Sequence, residues 1–395
     1  MSVTFAQGFR ATGIVAGLKP SGRPDLALLV ADRPCAAAAV FTTNAFPAAP
    51  VVLSRSRLAA GRAQAILVNS GQANAATGSR GRADAEQSTD AAARALAIDA
   101  DLMLAASTGV IGQPIPMRVL LDGLPPLLAS LSTEGGDRFA EAIMTTDTVP
   151  KTATAGRRHW RTGGCAKGVG MIAPDLATML AFVTTDAPIS PSSARILATG
   201  VLEPIFESLT VDASTSTNDS VFLLASGAAG GSVVEPGSPG WADLASTCEE
   251  VGTSLVEQLA ADAEGGTHVL VVEVGGGGTD DDARRVARAI AESPLVKTAV
   301  FGGDPNPGRI LQAIGSSGVR VDPDAVGASI GRVPVIAAGQ IDPAYFAGAG
   351  DAARTAMKER MIAIEVSLGT GPGRGRMIGC DLSYEYVRIN GEYTT

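Results

Sequence analysis

Residues 163–180 read Gly-Gly-Cys-Ala-Lys-Gly-Val-Gly-Met-Ile-Ala-Pro-Asp-Leu-Ala-Thr-Met-Leu. The first half of this stretch is rich in glycine. The second half ends in a small residue and a threonine, which precede an apolar run from Met179 to Val183. An apolar run of this length predicts a buried strand. Thr178 is therefore expected at the point where a flexible loop enters a rigid strand.

A threonine hydroxyl in that position has a specific chemistry available. Thr178 could attack the carbonyl of Ala177 and shift the backbone from an amide to an ester, and hydrolysis would leave Thr178 as a new N-terminus. Its α-amino group, with an unperturbed pKa of about 7.7–8.0, could then act as the base for its own hydroxyl. A glycine-rich loop before a core strand is the simpler interpretation, and an Ala-Thr pair alone does not exclude it.

Several motifs carry a family resemblance. The segments Lys167-Gly-Val-Gly-Met171 and Ala177-Thr-Met-Leu180 resemble the self-cleaving ornithine acetyltransferases, also called glutamate N-acetyltransferases of the cyclic arginine pathway. The resemblance runs from about Gly8 to Thr395. It is supported, in chain order, by the segments at residues 69–78, 107–112, 143–148, 211–220 and 293–299.

The resemblance implies an α/β fold with the layered α-β-β-α architecture of the ornithine acetyltransferases and self-cleaving aminopeptidases. It also implies an α chain, residues 1–177, and a β chain, residues 178–395, with Thr178 as the N-terminal nucleophile. The break would lie inside one folded unit. The usual assembly of the family is two α and two β chains.

The family also assigns residue roles. Ala177 and Thr178 form the cleavage site, and Thr178 attacks the substrate while Thr108 and Gly109 form the oxyanion hole. The implied substrate-binding residues are Thr145, Lys167, Thr178, Glu264, Asn390 and Thr395. Read without the family, residues 107–112 would be a turn, Thr145 part of a helix cap, and Lys167 a solvated lysine. Residues 69–78 alone would be a polar surface loop.

The implied reaction is a double displacement in arginine biosynthesis. Thr178 takes the acetyl group from N-acetylornithine, releases ornithine, and passes the acetyl group to glutamate. Neither a cofactor nor a metal is expected, and acetyl-CoA stays open as a second donor that would make the enzyme bifunctional.

Four positions depart from the family pattern. Ala263, Gly266 and His268 stand where glycine, alanine and lysine are usual, and Pro307 replaces a tryptophan. These departures keep alternatives open. One is a related acyltransferase of a specialised-metabolite pathway, and another is an N-terminal-nucleophile amidohydrolase or aminopeptidase, in which water resolves the acyl-enzyme. A third is a non-catalytic relative that has kept the fold.

Composition agrees with a globular enzyme. The net charge of −9 over 395 residues argues against nucleic acid as a partner. No apolar run is long enough to span a membrane, and the N-terminus lacks the features of a signal peptide, so a cytoplasmic location is expected. Four dispersed cysteines favour free thiols. With only two histidines, His159 and His268, a Ser-His-Asp triad is not expected.

Local patterns predict several elements. Strands are expected at Leu26–Val30, Ala65–Val68, Val221–Leu224 and Val269–Val274. Helices are expected at residues 83–98, after the Ser190 cap with Pro191 at the first helical position, at residues 241–264, and after the turn that ends at Thr279.

Overall fold

The computed structural model describes residues 2–157, 159–173 and 179–392. The predicted cleavage residues Ala177 and Thr178 and the predicted substrate-binding residue Thr395 lie outside these residues. The chain divides into two compact units, which comprise Met1–Glu207 with Ser214–Leu259, and Ser208–Ala213 with Ala260–Thr394. Residues on both sides of the predicted cleavage site thus belong to the first unit. The division into α and β chains stays a prediction.

The first unit is built on a mixed sheet that has eight strands within the described residues. The strand order is β4-β3-β2-β8-β7-β6-β5, and β1 pairs with β2. The strands are β1 Phe9–Ile14, β2 Leu26–Phe41, β3 Arg62–Gln72, β4 Met103–Val110, β5 Lys151–Gly156, β6 Arg161–Lys167, β7 Leu180–Thr185 and β8 Ser220–Ala225. The helices are α1 Ala49–Arg57, α2 Gly78–Leu96, α3 Met117–Ala129, α4 Gly136–Ala142, α5 Pro191–Leu197, α6 Glu203–Glu207 and α7 Trp241–Ala261.

The long strand β2 explains why the sequence there is apolar without alternation. Successive side chains of a strand point to opposite faces of the sheet. Leu29 packs in one core with Phe139 of α4 and Phe182 of β7. Leu28 packs in a second core with Leu124 of α3. Both faces of the sheet are therefore covered, and helices form layers against it.

Most of the expected elements are confirmed in the first unit. The strand expected after Thr178 is β7, in which every residue is buried. Ser190 caps α5 by accepting a hydrogen bond from the backbone N–H of Ser193, with Pro191 in the first turn. The alanine-rich helix is α2, which begins five residues before its predicted start and ends at Leu96.

The second unit contains a sheet that, over residues 269–380, has the order β12-β11-β10-β13-β9-β14. Its strands are β9 Val269–Gly276, β10 Gly327–Ile330, β11 Val333–Ala337, β12 Gln340–Ile341, β13 Met361–Ser367 and β14 Gly371–Cys380. Its helices are α8 Asp280–Glu292, α9 Pro294–Phe301, α10 Pro307–Ser316, α11 Gly350–Ala356 and α12 Tyr384–Glu392.

The core of the second unit lies on one face of this sheet. Val272 of β9 and Ile364 of β13 pack with Ile290 of α8 and Ile310 of α10. Thr279 caps α8 as the sequence predicts, because its side chain accepts a hydrogen bond from the backbone N–H of Asp282. The departure at Pro307 falls in the first turn of α10, where a proline suits the helix geometry. The expected α/β class with layered sheets and helices is confirmed.

The burial of polar residues and of cysteines bears on two further interpretations of the sequence. Asn69 and Asn74 are buried, so residues 69–78 are not a polar surface loop. Cys35, Cys165, Cys248 and Cys380 are all buried free thiols. Over the described parts of the chain, no helix is both long and apolar enough to cross a membrane.

Candidate active site

The pairing of three strands places the start of β7. Lys167, the last residue of β6, pairs with Leu180, the first residue of β7. On the other side, Leu180 pairs with Ser220 at the start of β8. Lys167, Leu180 and Ser220 therefore lie together at one edge of the sheet.

Lys167 is the centre of a buried polar cluster at this edge. Its side chain is 1% exposed. The Nζ atom donates to the hydroxyl of Thr108 at 3.1 Å and to the hydroxyl of Thr145 at 2.8 Å. Lys167 is thus not a solvated lysine, and three of the residues predicted for the site lie together.

A buried carboxylate balances this charge. Asp147 is 1% exposed, and its Oδ1 atom accepts from Lys151 Nζ at 2.6 Å and from the backbone N–H of Gly168 at 2.8 Å. Its Oδ2 atom accepts from the backbone N–H of Thr145 at 3.0 Å. Asp147 therefore ties the residue after Lys167 to the segment that carries Thr145.

The electrostatics of Asp147 follow from its neighbours. Burial alone would raise the pKa of this carboxyl, but Lys167 and Lys151, together with the hydrogen bonds from Lys151 and Thr145, outweigh burial and hold the pKa at about 2. Asp147 is consequently ionised over the whole physiological range. It supports a positive side chain at position 167 inside a site from which water is largely excluded.

A second lysine reaches the same segment. Lys19 Nζ donates to the carbonyl of Met144 at 2.5 Å and to the carbonyl of Pro24 at 2.7 Å. Burial lowers the pKa of Lys19 to about 8, with Asp25 opposing this shift and Lys167 adding to it. Lys19 therefore holds the backbone next to Thr145 in place.

The predicted oxyanion residues lie at the end of β4. Thr108 is buried and pairs with Ser70 of β3, and Gly109 pairs with Gly71. Gly109 has φ +129, and a Cβ atom there would lie 2.3 Å from the carbonyl carbon of Gly71. Only glycine fits such a position. The Thr108 hydroxyl accepts from Lys167 and so keeps its own proton to donate, as an oxyanion contact requires.

The carboxylate of Asp219 holds Met179, the residue directly before β7. Its Oδ1 atom accepts the backbone N–H of Met179 at 2.6 Å, and the neighbouring Ser220 donates its N–H to the Met179 carbonyl at 3.0 Å. Asp219 is fully buried, and the backbone and side chain of Ser216 also provide hydrogen bonds to its carboxyl. Burial raises the pKa of Asp219 well above its ordinary value, against the opposing effects of the Met179 N–H and Lys167.

The other predicted binding residues meet in the second unit. Asn390 of α12 donates from Nδ2 to the Oε2 atom of Glu264 at 3.0 Å. The chain after Glu264 is held by Ser383, whose hydroxyl donates to the Gly265 carbonyl, and by Asp381, which accepts the Thr267 N–H at 2.8 Å. The two residues thus form a pair that could bind an ammonium or hydroxyl group together.

The departure at position 268 has a structural role. His268 Nδ1 lies 3.0 Å from Asp381 Oδ2, and the hydroxyl of Thr267 also contacts both side chains. These contacts lie within the second unit and are those of a structural histidine.

The sequence alone singles out Thr108, Gly109, Thr145, Lys167, Glu264 and Asn390, and the structure groups them into two sets, one in each unit. It does not single out Lys19, Lys151 or Asp219 as site residues. A signal for Asp219 exists, because it closes a hydroxyl-rich run directly before a strand that is apolar after its first residue, Ser220. No comparable signal marks Lys19.

These features define a mixed α/β enzyme scaffold, and comparison with known proteins gives its family. The family model described as ArgJ matches residues 10–395. A protein of Thermosynechococcus vestitus named arginine biosynthesis bifunctional protein ArgJ is 48% identical, over 100% of this chain and 98% of its own length. A protein of the same name from Geobacter sulfurreducens is 44% identical, over 98% of this chain and 99% of its own length.

A solved structure agrees with this result. The crystal structure of arginine biosynthesis bifunctional protein argJ from Bacillus halodurans matches with a TM-score of 0.51 and 38% identity, and it covers 54% of this chain and 98% of that one. The chain therefore belongs to the ArgJ family. The family predicted from the cleavage motif is confirmed, and with it the assignment to an enzyme of arginine biosynthesis.

Proposed function

We propose that this chain cleaves itself between Ala177 and Thr178 and then transfers an acetyl group from N-acetylornithine to glutamate through an acetyl ester on Thr178. The observation that carries the proposal is the buried contact of Lys167 with the hydroxyls of Thr108 and Thr145. This cluster lies where β6 pairs with the start of β7, two residues after the proposed nucleophile.

The proposed reaction has two half-reactions. In the first, the α-amino group of Thr178 takes the hydroxyl proton, the oxygen attacks the acetyl amide, and ornithine leaves with the returned proton. In the second, the amine of glutamate attacks the ester, and the Thr178 hydroxyl is restored. Thr108 and Gly109 stabilise the oxyanion in both, and one such donor is typically worth about 10²–10³ in rate.

Two sets of polar residues, one in each unit, carry charges that suit parts of an amino-acid substrate. Lys167 provides a positive charge for a carboxylate, and Asp147 keeps that charge in a buried position. Glu264 provides the opposite charge, which suits the side-chain ammonium of ornithine, and Asn390 orients its carboxylate. Thr395 is proposed to bind substrate as well, from the resemblance alone.

A hydrolase remains the alternative to test, because water could resolve the same ester. A transferase must hold the acceptor amine against the ester, since orientation supplies much of the rate. The buried positive charge at Lys167 favours a bound amino-acid acceptor over water.

The deciding experiment loads the purified enzyme with N-acetylornithine labelled in the acetyl group. With glutamate present, the label should appear in N-acetylglutamate and the kinetics should be ping-pong. Without glutamate, ornithine release should stop after about one equivalent. Continuous ornithine release with free labelled acetate, whether or not glutamate is added, would reject the transferase in favour of the hydrolase.

Further aspects of the proposal come from the relatives and the resemblance. The word bifunctional in the names of the relatives favours a second donor, and acetyl-CoA is the donor to test. We also propose an assembly of two α and two β chains in the cytoplasm, with no nucleic-acid or membrane partner. Mass measurement of the purified protein tests the assembly.

A further inference from the structure

Helix α12 carries Asn390, the residue that orients Glu264 in the proposed site. None of the residues Tyr384–Glu392 that form this helix is fully buried. A helix that buries no side chain completely gains less from apolar packing than a buried one, so its position depends more strongly on directed polar contacts. The position of Asn390 beside Glu264 therefore rests largely on such contacts.

The start of α12 is fixed to the chain directly after Glu264. Ser383 donates from its hydroxyl to the Gly265 carbonyl at 2.6 Å, and the same hydroxyl accepts the backbone N–H of Tyr386 at 3.3 Å. Gly265 has φ +66, and a Cβ atom there would lie 2.3 Å from the Tyr386 nitrogen. The first turn of α12 thus packs directly on the residue that follows Glu264.

A second attachment of α12 lies one turn before Asn390. Tyr386 donates from its hydroxyl to the Oδ2 atom of Asp212 at 3.2 Å. The carbonyl of Tyr386 accepts from Asn390 Nδ2 at 3.1 Å, and the same Nδ2 atom donates to Glu264 Oε2 at 3.0 Å. Tyr386 and Asn390 thus connect the carboxylate of Asp212 to that of Glu264 through consecutive hydrogen bonds.

The segment that carries Asp212 is itself held on the second unit. Lys297 of α9 is 4% exposed, and its Nζ atom donates to the carbonyl of Val211 at 2.8 Å. The same Nζ atom donates to the carbonyl of Cys380, the last residue of β14. Val211 is thereby tied to a helix and a strand of this unit, and Asp212 offers Tyr386 an acceptor on a fixed segment.

We propose that Asp212, acting through Tyr386, is a positioning residue that makes the enzyme select N-acetylornithine over neutral acetylated amino acids. The inference rests on the proposed binding of the ornithine side-chain ammonium by Glu264. The Tyr386 hydroxyl holds α12 to Asp212, and α12 holds Asn390 against the Glu264 carboxylate. A carboxylate that is oriented in advance binds an ammonium group with a smaller loss of entropy than a mobile one.

The protonation of Tyr386 agrees with this arrangement. Burial raises the pKa of its hydroxyl, and the negative charges of Asp212 and Glu264 raise it further. The hydroxyl therefore keeps its proton and remains a donor to Asp212 over the physiological pH range. The influence of Glu264 on the same hydroxyl also indicates that both carboxylates lie near this tyrosine.

The test compares two acetyl donors on the purified, processed enzyme, N-acetylornithine and N-acetylmethionine, each with glutamate as the acceptor. Tyr386→Phe removes the hydroxyl and keeps the ring. It should raise the KM for N-acetylornithine about three- to tenfold, the range that the loss of one hydrogen bond typically produces. The kcat for this donor and the KM for N-acetylmethionine should stay within about twofold of the wild type, because only binding of the ammonium changes.

Tyr384→Phe is the matched control. Tyr384 lies at the start of the same helix, is 85% exposed, and contacts Phe301 through its ring, which the substitution keeps. It should leave both KM values unchanged. Hydrogen exchange over residues 384–392 reports how firmly the helix is attached. Exchange should be faster than in the wild type for Tyr386→Phe and unchanged for Tyr384→Phe.

Variants of Asp212 separate an effect through Tyr386 from a direct effect on the substrate. Asp212→Asn keeps an acceptor oxygen for the Tyr386 hydroxyl and removes the charge, so it should retain most of the selectivity. Asp212→Ala removes the acceptor and should match Tyr386→Phe. The double variant with both changes should lose no more than either single variant, because the two residues act through one contact.

Each contrary result has its own meaning. Unchanged selectivity in Tyr386→Phe, or an equal loss for both donors, overturns the inference. A loss in Asp212→Asn as large as that in Asp212→Ala overturns it as well, because the charge of Asp212 would then act on the substrate without Tyr386. Glu264→Gln without a selective loss for N-acetylornithine rejects instead the proposed binding of the ammonium by Glu264.

Discussion

Lys167 donates a hydrogen bond to the hydroxyl of Thr108 at 3.1 Å, across 59 residues of sequence. The contact joins the end of β6 to the end of β4, strands that lie far apart in the sheet order. It therefore links the predicted oxyanion residue to the predicted substrate-binding cation, and the first prediction tests whether the two act together.

Replacement of Lys167 by methionine should abolish turnover. The change removes the donor to Thr108 and Thr145 and leaves Asp147 with Lys151 as its remaining buried cation. Breaking a buried ion pair typically costs about 3–5 kcal/mol, and Lys151 should reduce this loss. Urea unfolding measures the stability, and the acetyl-transfer assay measures kcat.

Lys151→Met is the matched control for this change, because it also removes a buried cation from Asp147. Its activity, per mole of folded protein, should exceed that of Lys167→Met by at least about 10-fold. Equal activity in the two variants would show that Lys167 acts only through Asp147.

The two threonines should separate self-cleavage from substrate binding. Thr108→Ala should slow both processing and turnover, because each reaction places negative charge on a carbonyl oxygen attacked by the same hydroxyl; the loss should be about 10²-fold. Thr145→Ala should raise the KM for the amino-acid substrate and leave processing unchanged. Band conversion and steady-state kinetics on both variants check this, and the idea fails if Thr145→Ala alone blocks processing.

Gly109 should tolerate no side chain, for a reason that separates it from its neighbour Gly112. Both residues have positive φ, but a Cβ atom at Gly109 would lie 2.3 Å from Gly71, and nothing lies within 4 Å at Gly112. Gly112→Ala should therefore cost only the backbone strain of about 1–2 kcal/mol. Gly109→Ala should destabilise the protein by several kcal/mol more and abolish activity. Thermal unfolding of the two variants side by side measures the difference.

The extent to which this molecule can be predicted from its sequence depends on how local each signal is. The strand β7 and the cap at Ser190 are set by neighbouring residues, and both are predicted with bounds close to those observed. The family, and with it the fold class, follows from motifs that extend along the whole chain.

Buried polar residues are harder to predict, because their partners are distant in sequence. Asn69 and Gln72 read as surface residues, but Asn69 donates to the Gln72 carbonyl and Gln72 donates to the Leu18 carbonyl, both at 2.9 Å. Asp147 and Lys151 have a spacing that suggests a helix, and they instead meet between a loop and the start of β5. Only the folded chain supplies these contacts.

Stability in acid should depend on the ionised Asp147, which pairs with Lys151 and lies near the charge of Lys167. The pKa of Asp147 is lowered from 3.8 to about 2 in the folded state, so its contribution to stability is fully present above pH 4 and is lost as the pH falls towards 2. A shift of this size corresponds to roughly 2 kcal/mol. Urea unfolding of the wild type between pH 4.5 and 2.5 should show this loss. Asp147→Asn, although less stable overall, should show a shallower slope, and an equal slope would contradict the assignment.

Glu264 should determine which acetylated amine the enzyme accepts. Its carboxylate is oriented by Asn390 at 3.0 Å and is proposed to pair with the side-chain ammonium of ornithine. A hydrogen bond between charged groups contributes about 1.5–3 kcal/mol, so Glu264→Gln should lower kcat/KM for N-acetylornithine by at least about 10-fold. A neutral acetylated amino acid, such as an N-acetylated methionine, should lose far less. Glu273→Gln, at an exposed residue of β9, is the control and should change neither value. An equal loss for both substrates in Glu264→Gln would mean that Glu264 maintains the local structure and does not bind the ammonium group of ornithine.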